Sequence, residues 1–230
     1  MSTNENEHEL VITEEHLEHM ALFPLPNAVF FPGTRLPLHI FEPRYRQMTR
    51  EAIAENIPIA VVKLTEPRRA DAKGRPAYDV IGGAGFLTHH QELPDGRYNI
   101  LLAGTTRVEI IEEIESEKPY RVGRARRLPD VVDTSGSINV LMTTLRGCVV
   151  GLQSDYERLA EALAKAINNI PDPGLLANSI SSIIIADPML RQQLLEERRP
   201  DRRLDEIISR LTDLLAESNT PTGESKSWLN

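Results

Sequence analysis

The apolar positions of this chain change their period about half-way along. From residue 22 to about residue 128 they fall into short runs bounded by glycine, proline and charge. From Ser137 onward they recur at three- and four-residue spacing. The first pattern predicts strands and the second predicts amphipathic helices. "IPIAVVKL" is a continuous apolar run of strand length and predicts a central strand. "YDVIGGAGFLTHHQEL" reads as a strand whose glycines mark a bend or bulge. "PDG" then makes a hairpin turn into "RYNILLAGTTRVEIIEEIE", and "PYRVGRARRL" is a further strand. This half predicts one helix of note, "PRYRQMTREAIAEN". Pro43 suits its first position, Asn56 its end, and Tyr45, Met48, Ala52 and Ile53 form an apolar stripe. Glycine bends in several strands predict a sheet that curls into a barrel or half-barrel.

In the second half, Leu159, Leu163, Ala166, Ile167 and Ile170 share one helical face, and Leu204, Ile207, Ile208, Leu211, Leu214 and Leu215 share another. Two more helices lie between them, punctuated at Asp187–Pro188. Each needs a neighbour to cover its stripe, so a small bundle is expected. The predicted organisation is an α+β chain. It has an N-terminal tail over 1–20 that carries a short helix capped by Thr13, a β-rich subdomain over 21–130, a helical bundle over 131–217 and a disordered tail over 218–230. Residues 1–12 read as mobile, and 65–77 as a charged loop.

Composition narrows the function classes. Across 230 residues the net charge is −8, which favours neither nucleic acid nor anionic membranes. Cys148 is the only cysteine, which rules out a disulfide within the chain. Its apolar surroundings read as those of a buried thiol rather than a nucleophile. No apolar run approaches the ~18 residues of a membrane span. The start lacks the basic-then-apolar order of a signal peptide. The expectation is a cytosolic protein.

The chemistry-bearing candidates are few. The phosphate-binding loop, the dinucleotide fingerprint and the Gly-x-Ser-x-Gly elbow are absent from the sequence. "GGAGF" (82–86) lacks the lysine and the helix that a phosphate loop needs, so it reads as a strand bend. His16 and His19 share a helical face without further ligands nearby. The "HEL" beginning at His8 lacks a second histidine, and His89 and His90 point to opposite strand faces. His39, Glu42 and Arg44 are the candidates for an unrecognised catalytic or small-molecule site. A structural hydrogen bond for His39, a helix start at Glu42 and a surface ion pair for Arg44 are the preferred readings. Arg121, Arg124, Arg126 and Arg127 form the one basic cluster, split between two strand faces. No catalytic, cofactor-binding or metal-binding residue is assigned.

The densest pattern is "LFPLPNAVFFPGTRLPLHIFEPRYRQM", residues 22–48, with five prolines and four phenylalanines. With Phe23-Pro24-Leu25, Phe31-Pro32-Gly33 and the run from Pro37 to Tyr45, it resembles the Lon protease N-terminal domain family, the LON substrate-binding domain. "YNILLAGTTRVEI", "PYRVGRARRL", "LANSISS" and "RQQLLEERRPDRRLDEIISRL" extend the resemblance over roughly residues 21–217. It implies a PUA-like β-barrel followed by a helical bundle. It also implies a stand-alone bacterial member without the ATPase and Ser-Lys peptidase modules. A non-catalytic module that binds unfolded or tagged polypeptides follows, working as an adaptor for a separate ATP-dependent protease. The alternative is a PUA-like RNA-binding module using the arginine cluster. The prolines are expected to pin strand edges and the helix start, and the aromatics to fill the core and one flank.

Overall fold

The computed structural model describes residues 10–65, 70, 74–131 and 136–218. Most of the tail expected over 218–230, His8 with Glu9 and the rest of residues 1–9, and much of the charged loop over 65–77 lie outside the described residues; Ser218 itself ends the last helix. In chain order the elements are α1 (Glu14–Glu18), β1 (Met20–Leu25), β2 (Arg35–Ile40), α2 (Pro43–Glu55), β3 (Ile59–Lys63), β4 (Ile81–Glu92), β5 (Tyr98–Ile114) and β6 (Arg121–Arg127). The helices α3 (Ser137–Gly151), α4 (Glu157–Asn169), α5 (Pro173–Ile184), α6 (Pro188–Glu196) and α7 (Pro200–Ser218) follow. The chain is therefore α+β, and it divides into two compact units between Pro129 and Asp130.

In the first unit the strands pair in the order β2-β5-β4-β3-β1-β6, and β5 also pairs with β6. The long β5 thus closes a five-stranded ring with its second half and carries β2 on its first half. β1 and β3 are parallel neighbours, and the other pairs are antiparallel. Both parallel strands are covered on both faces, which is why they read as continuous apolar runs. Met20 and Leu22 of β1, with Ala60 and Val62 of β3, enter one cluster with Phe86, Val108 and Ile110. Ala21, Phe23, Ile59 and Val61 enter another, with Phe30, Tyr45, Met48 and Leu102.

The helix α2 begins at Pro43, which has no N–H to leave unsatisfied, and ends at Asn56 in the left-handed conformation, φ 51°. Its buried face is Tyr45, Met48, Thr49 and Ala52, and Ile53 is exposed. The predicted stripe is corrected there: Thr49 takes the inner position because its hydroxyl donates to the Tyr45 carbonyl, 2.9 Å away. Of the residues expected to be mobile, only 10–12 are described. Ile12 among them is buried in the same cluster as Phe86, as is Leu17 of α1. Thr13 caps α1 reciprocally with His16: the Thr13 hydroxyl accepts from the His16 N–H, and His16 Nδ1 accepts from the Thr13 N–H.

Between β1 and β2 the chain crosses the sheet so closely that only glycine fits beneath it. A β-carbon on Gly83 of β4 would lie 1.7 Å from the Phe30 carbonyl oxygen. One on Gly104 of β5 would lie 2.4 Å from that of Phe31. The "GGAGF" bend of β4 carries a register shift between Ala84 and Gly85.

In the second unit α3, α4, α5 and α7 share a core that includes Leu145, Leu163, Leu176, Ile180, Leu204, Ile207 and Leu211. Asp172 and Asp187 cap α5 and α6, and a proline follows each. Asp187→Ala removes acceptors for the Met189 and Leu190 N–H groups. It is expected to cost about 1 kcal/mol in urea unfolding, within the usual range for a lost cap. No helix among the described residues is long and apolar enough to cross a membrane.

Candidate functional site

β2, the first half of β5 and the second half of β4 form a three-stranded sheet with two unlike faces. Leu36, Leu38 and Ile40 of β2, with Tyr98, Ile100 and Leu102 of β5, turn toward α2 and its cluster. Arg35, Pro37 and His39 turn outward. Register sets Pro37 beside Leu101 and His89, and His39 beside Asn99 and Gln91. Hydrogen bonds cross the outer face along that second row. His39 Nδ1 lies 2.7 Å from Asn99 Oδ1, and the Asn99 amide donates to Gln91 Oε1 at 3.3 Å. Arg97, held by Asp95 at 2.6 Å, donates to His39 Nε2 at 3.2 Å. That donor occupies Nε2 and assigns the ring proton to Nδ1. Both ring nitrogens are thus engaged in hydrogen bonds across the sheet.

Phe41 follows directly on this face, and the expectation for the aromatics is corrected at it. Phe23, Phe30 and Phe31 are buried as their pattern predicts, but Phe41 is 61% exposed. Its ring is inclined 27° to that of His39, with centroids 6.4 Å apart. The chain turns there from strand into helix, and Ile40 takes the inward position. Phe41 thus adds a large exposed aromatic at the end of the row that His39 begins, with half-buried Leu101 and exposed Pro37 one row further along β2.

The remaining candidates are drawn into structural pairs. Glu42 accepts from Arg44 at 2.7 Å, and Arg44 lies over the Tyr45 ring at 4.5 Å. Among the arginines of β6, Arg124 pairs with Glu112 and Arg126 with Glu109, each at 2.6 Å, and Arg121 pairs with Glu113 at 3.3 Å. Arg127 binds Glu14 and the Ile12 carbonyl. Cys148 is a free thiol in the helical core. Among the described residues no three metal-ligating side chains converge.

A cleft of about 290 Å³ lies between α2 and the β5–β6 end of the sheet, lined by Tyr45, Arg75, Glu113, Lys118, Tyr120 and Arg121 among others. Burial raises the phenol pKa of Tyr45 and Tyr120, and that of Tyr78 nearby, where Glu113 adds to the effect. Phenols so shifted stay protonated at neutral pH and serve as donors. Tyr120 donates to Glu51, which also accepts from Lys118 at 2.7 Å and Gln47 at 2.9 Å. Burial pushes the Glu51 carboxyl up, but these hydrogen bonds outweigh it and leave its pKa lowered. A lowered carboxylate stabilises the fold above its unfolded pKa of about 4.3, and that contribution is lost as pH falls through the lower folded value. The stability gap between the native protein and Glu51→Gln is therefore expected to be full near neutrality and to close below about pH 4. Urea denaturation across that range measures it.

The family model for the ATP-dependent protease La (LON) substrate-binding domain matches residues 19–213. The chain belongs to the LON substrate-binding domain family. Among sequence relatives, the Lon protease of Paraburkholderia phytofirmans is 27% identical over 198 residues, covering 83% of this chain and 24% of that protein. The Lon protease of Trichlorobacter lovleyi is 28% identical over 224 residues, covering 94% of this chain and 27% of that one. The chain thus spans about a quarter of the length of the curated relatives it matches, and the matched part is their substrate-binding region, not a catalytic domain. The fold is that of the N-terminal domain of Mycobacterium avium complex Lon protease (TM-score 0.67, 16% identity, 85% of this chain and 99% of that one). It is also that of a Lon N-terminal domain protein from Xanthomonas campestris (TM-score 0.58, 21% identity, 83% and 97%). In this LON-family chain, sequence reasoning singled out His39 but missed its partners Asn99 and Arg97, and Gln91 behind Asn99. The two direct partners lie 60 and 58 residues away along the chain. The alternation of β2 against "YNILL" was the available signal.

Proposed function

We propose that this chain is a non-catalytic module that binds unfolded or tagged polypeptides in the cytoplasm, through the outer face of β2, β5 and β4 headed by Phe41. It would hand them to a separate ATP-dependent protease. The observation that carries this reading is the match of residues 19–213 to a substrate-binding family. The exposed Phe41 selects the surface. The engagement of His39, Glu42 and Arg44 in structural pairs supports a binding role over a catalytic one. For the RNA-binding alternative, all four arginines of β6 already face carboxylates, which weighs against a phosphate-binding stripe.

Phe41→Ser tests the surface. Because the side chain is mostly exposed, the melting temperature is expected to change little. Affinity for a denatured polypeptide is expected to fall about tenfold, as for loss of an aromatic anchor. Unchanged affinity would move the binding surface elsewhere. The purified protein is also expected to leave casein intact and ATP unhydrolysed. Cleavage or turnover by homogeneous protein would overturn the non-catalytic part. Structured RNA is expected not to bind at low salt.

A further inference from the structure

Beyond the closed ring, β4 runs past its partner. β3 pairs with it at Gly83, Ala84 and Gly85, whereas β4 continues to Glu92 bonded to β5 on one side. Thr88, His89, His90, Gln91 and Glu92 are all exposed. The Leu93 N–H donates to the Arg97 carbonyl at 2.8 Å, which fixes the alternation of the ladder. In an antiparallel pair, bonded and non-bonded positions alternate, so Gln91 and His89 bond across to β5. His90 and Glu92 then direct their own N–H and C=O away from it.

The opposite edge of the same sheet is β2, and it differs in one residue. The Gly104 N–H donates to the Thr34 carbonyl at 2.9 Å. Alternation from there turns the backbone of Arg35, Pro37 and His39 outward. Pro37 has no N–H, and its ring stands where an incoming carbonyl would sit, so this edge is blunted against strand pairing. The β4 edge carries no proline from Leu87 to Glu92.

We propose that the edge of β4 between Thr88 and Glu92 is a strand-addition site for an extended segment of an unfolded polypeptide. The groups on offer are main-chain donors and acceptors at strand spacing, and their complement is another main chain in extended form. The strip is made of threonine, two histidines, glutamine and glutamate, which form neither an apolar pocket nor a run of one charge. Selection by side chain is therefore weak, as suits a non-native chain rather than a fixed motif. The His39–Asn99–Gln91 row joins this edge to the Phe41 face. The proposal rests on the polypeptide-binding reading above and adds to it the edge and the mode of recognition.

His90→Pro and His90→Ala separate main chain from side chain. Position 90 lies at a non-bonded step of the β4–β5 ladder, so proline there leaves the ladder intact while removing an outward donor and blocking strand approach. With fluorescein-labelled, reduced and carboxymethylated α-lactalbumin as the probe, His90→Pro is expected to bind about tenfold more weakly and His90→Ala within about twofold of the native protein. Hydrogen exchange on the unaltered protein is a second readout that depends on no variant folding. The His90 and Glu92 amides are expected to slow on saturation with the same probe. Binding that persists in a folded His90→Pro protein, or amides that stay unprotected at saturation, overturns edge addition and leaves the Phe41 face standing. A dimer in sedimentation that protects these amides without probe overturns it in favour of a second copy. Absence of any binding by the native protein overturns both readings.

Discussion

Asp130→Ala is expected to destabilise the helical unit by about 3–5 kcal/mol, the range for a buried charge stripped of its partner. The Arg203 side chain is 0% exposed, and both its terminal nitrogens reach the Asp130 carboxylate, at 2.8 and 2.6 Å. The guanidinium also donates to the carbonyls of Glu197 and Gly174, at 2.9 and 3.2 Å. It thereby ties the start of the unit, the N-terminus of α5 and the approach to α7 to one cation. Without Asp130 two carbonyl dipoles remain to offset a full buried charge. Removing both charges at once, in Asp130→Ala with Arg203→Met, is expected to cost less than Asp130→Ala alone, because no unpaired ion is left behind. Urea denaturation of the three proteins decides it, and a double variant less stable than Asp130→Ala would refute the assignment of the cost to stranded charge.

Gly83→Ala is expected to cost about 3 kcal/mol or more, beyond most single overpacking changes. The added carbon would meet the Phe30 carbonyl oxygen at 1.7 Å and its carbon at 2.7 Å. Both are backbone atoms, so no rotamer change relieves the clash. The crossing segment cannot simply lift, because Phe30 and Phe31 are each 1% exposed and Gly33 and Thr34 are bonded to Gly104. The melting temperature is expected to fall by about 10 °C. Gly147→Ala is the contrast. Nothing lies within 4 Å of its site on α3, and alanine there is expected to stabilise by about 0.5–1 kcal/mol. Equal melting of the Gly83→Ala and native proteins would show that the crossing does not seal the sheet.

The elements were legible where local chemistry decides them. Pro43 and Asn56 mark the ends of α2, Asp187–Pro188 starts α6, and the unbroken "IAVVK" run is the strand covered on both faces. Features set by pairing at a distance were not. Arg203 sits in a charged run, "ERRPDRR", and nothing local tells it from exposed Arg202 or half-buried Arg198 and Arg199; its partner is 73 residues away. Gly83 and Gly104 read as bends, but their requirement comes from a segment fifty residues earlier for one and seventy for the other, in round numbers. Phe41 shares its spacing with buried phenylalanines, and its exposure follows from the turn into α2. The open edge of β4 was legible only as half of a pattern. The sequence shows which strands carry proline, but register decides which edges remain uncovered.

The central claim is that this LON-family chain recognises polypeptide by its unfolded state and performs no chemistry on it. One titration tests it most directly: fluorescence anisotropy of a single labelled protein, presented once native and once reduced and carboxymethylated, against the intact chain. Saturable binding of the unfolded form, with the native form unbound at the same concentrations and the label recovered at full length, is the predicted result. Equal affinity for both forms, no binding of either, or shortened label would contradict it.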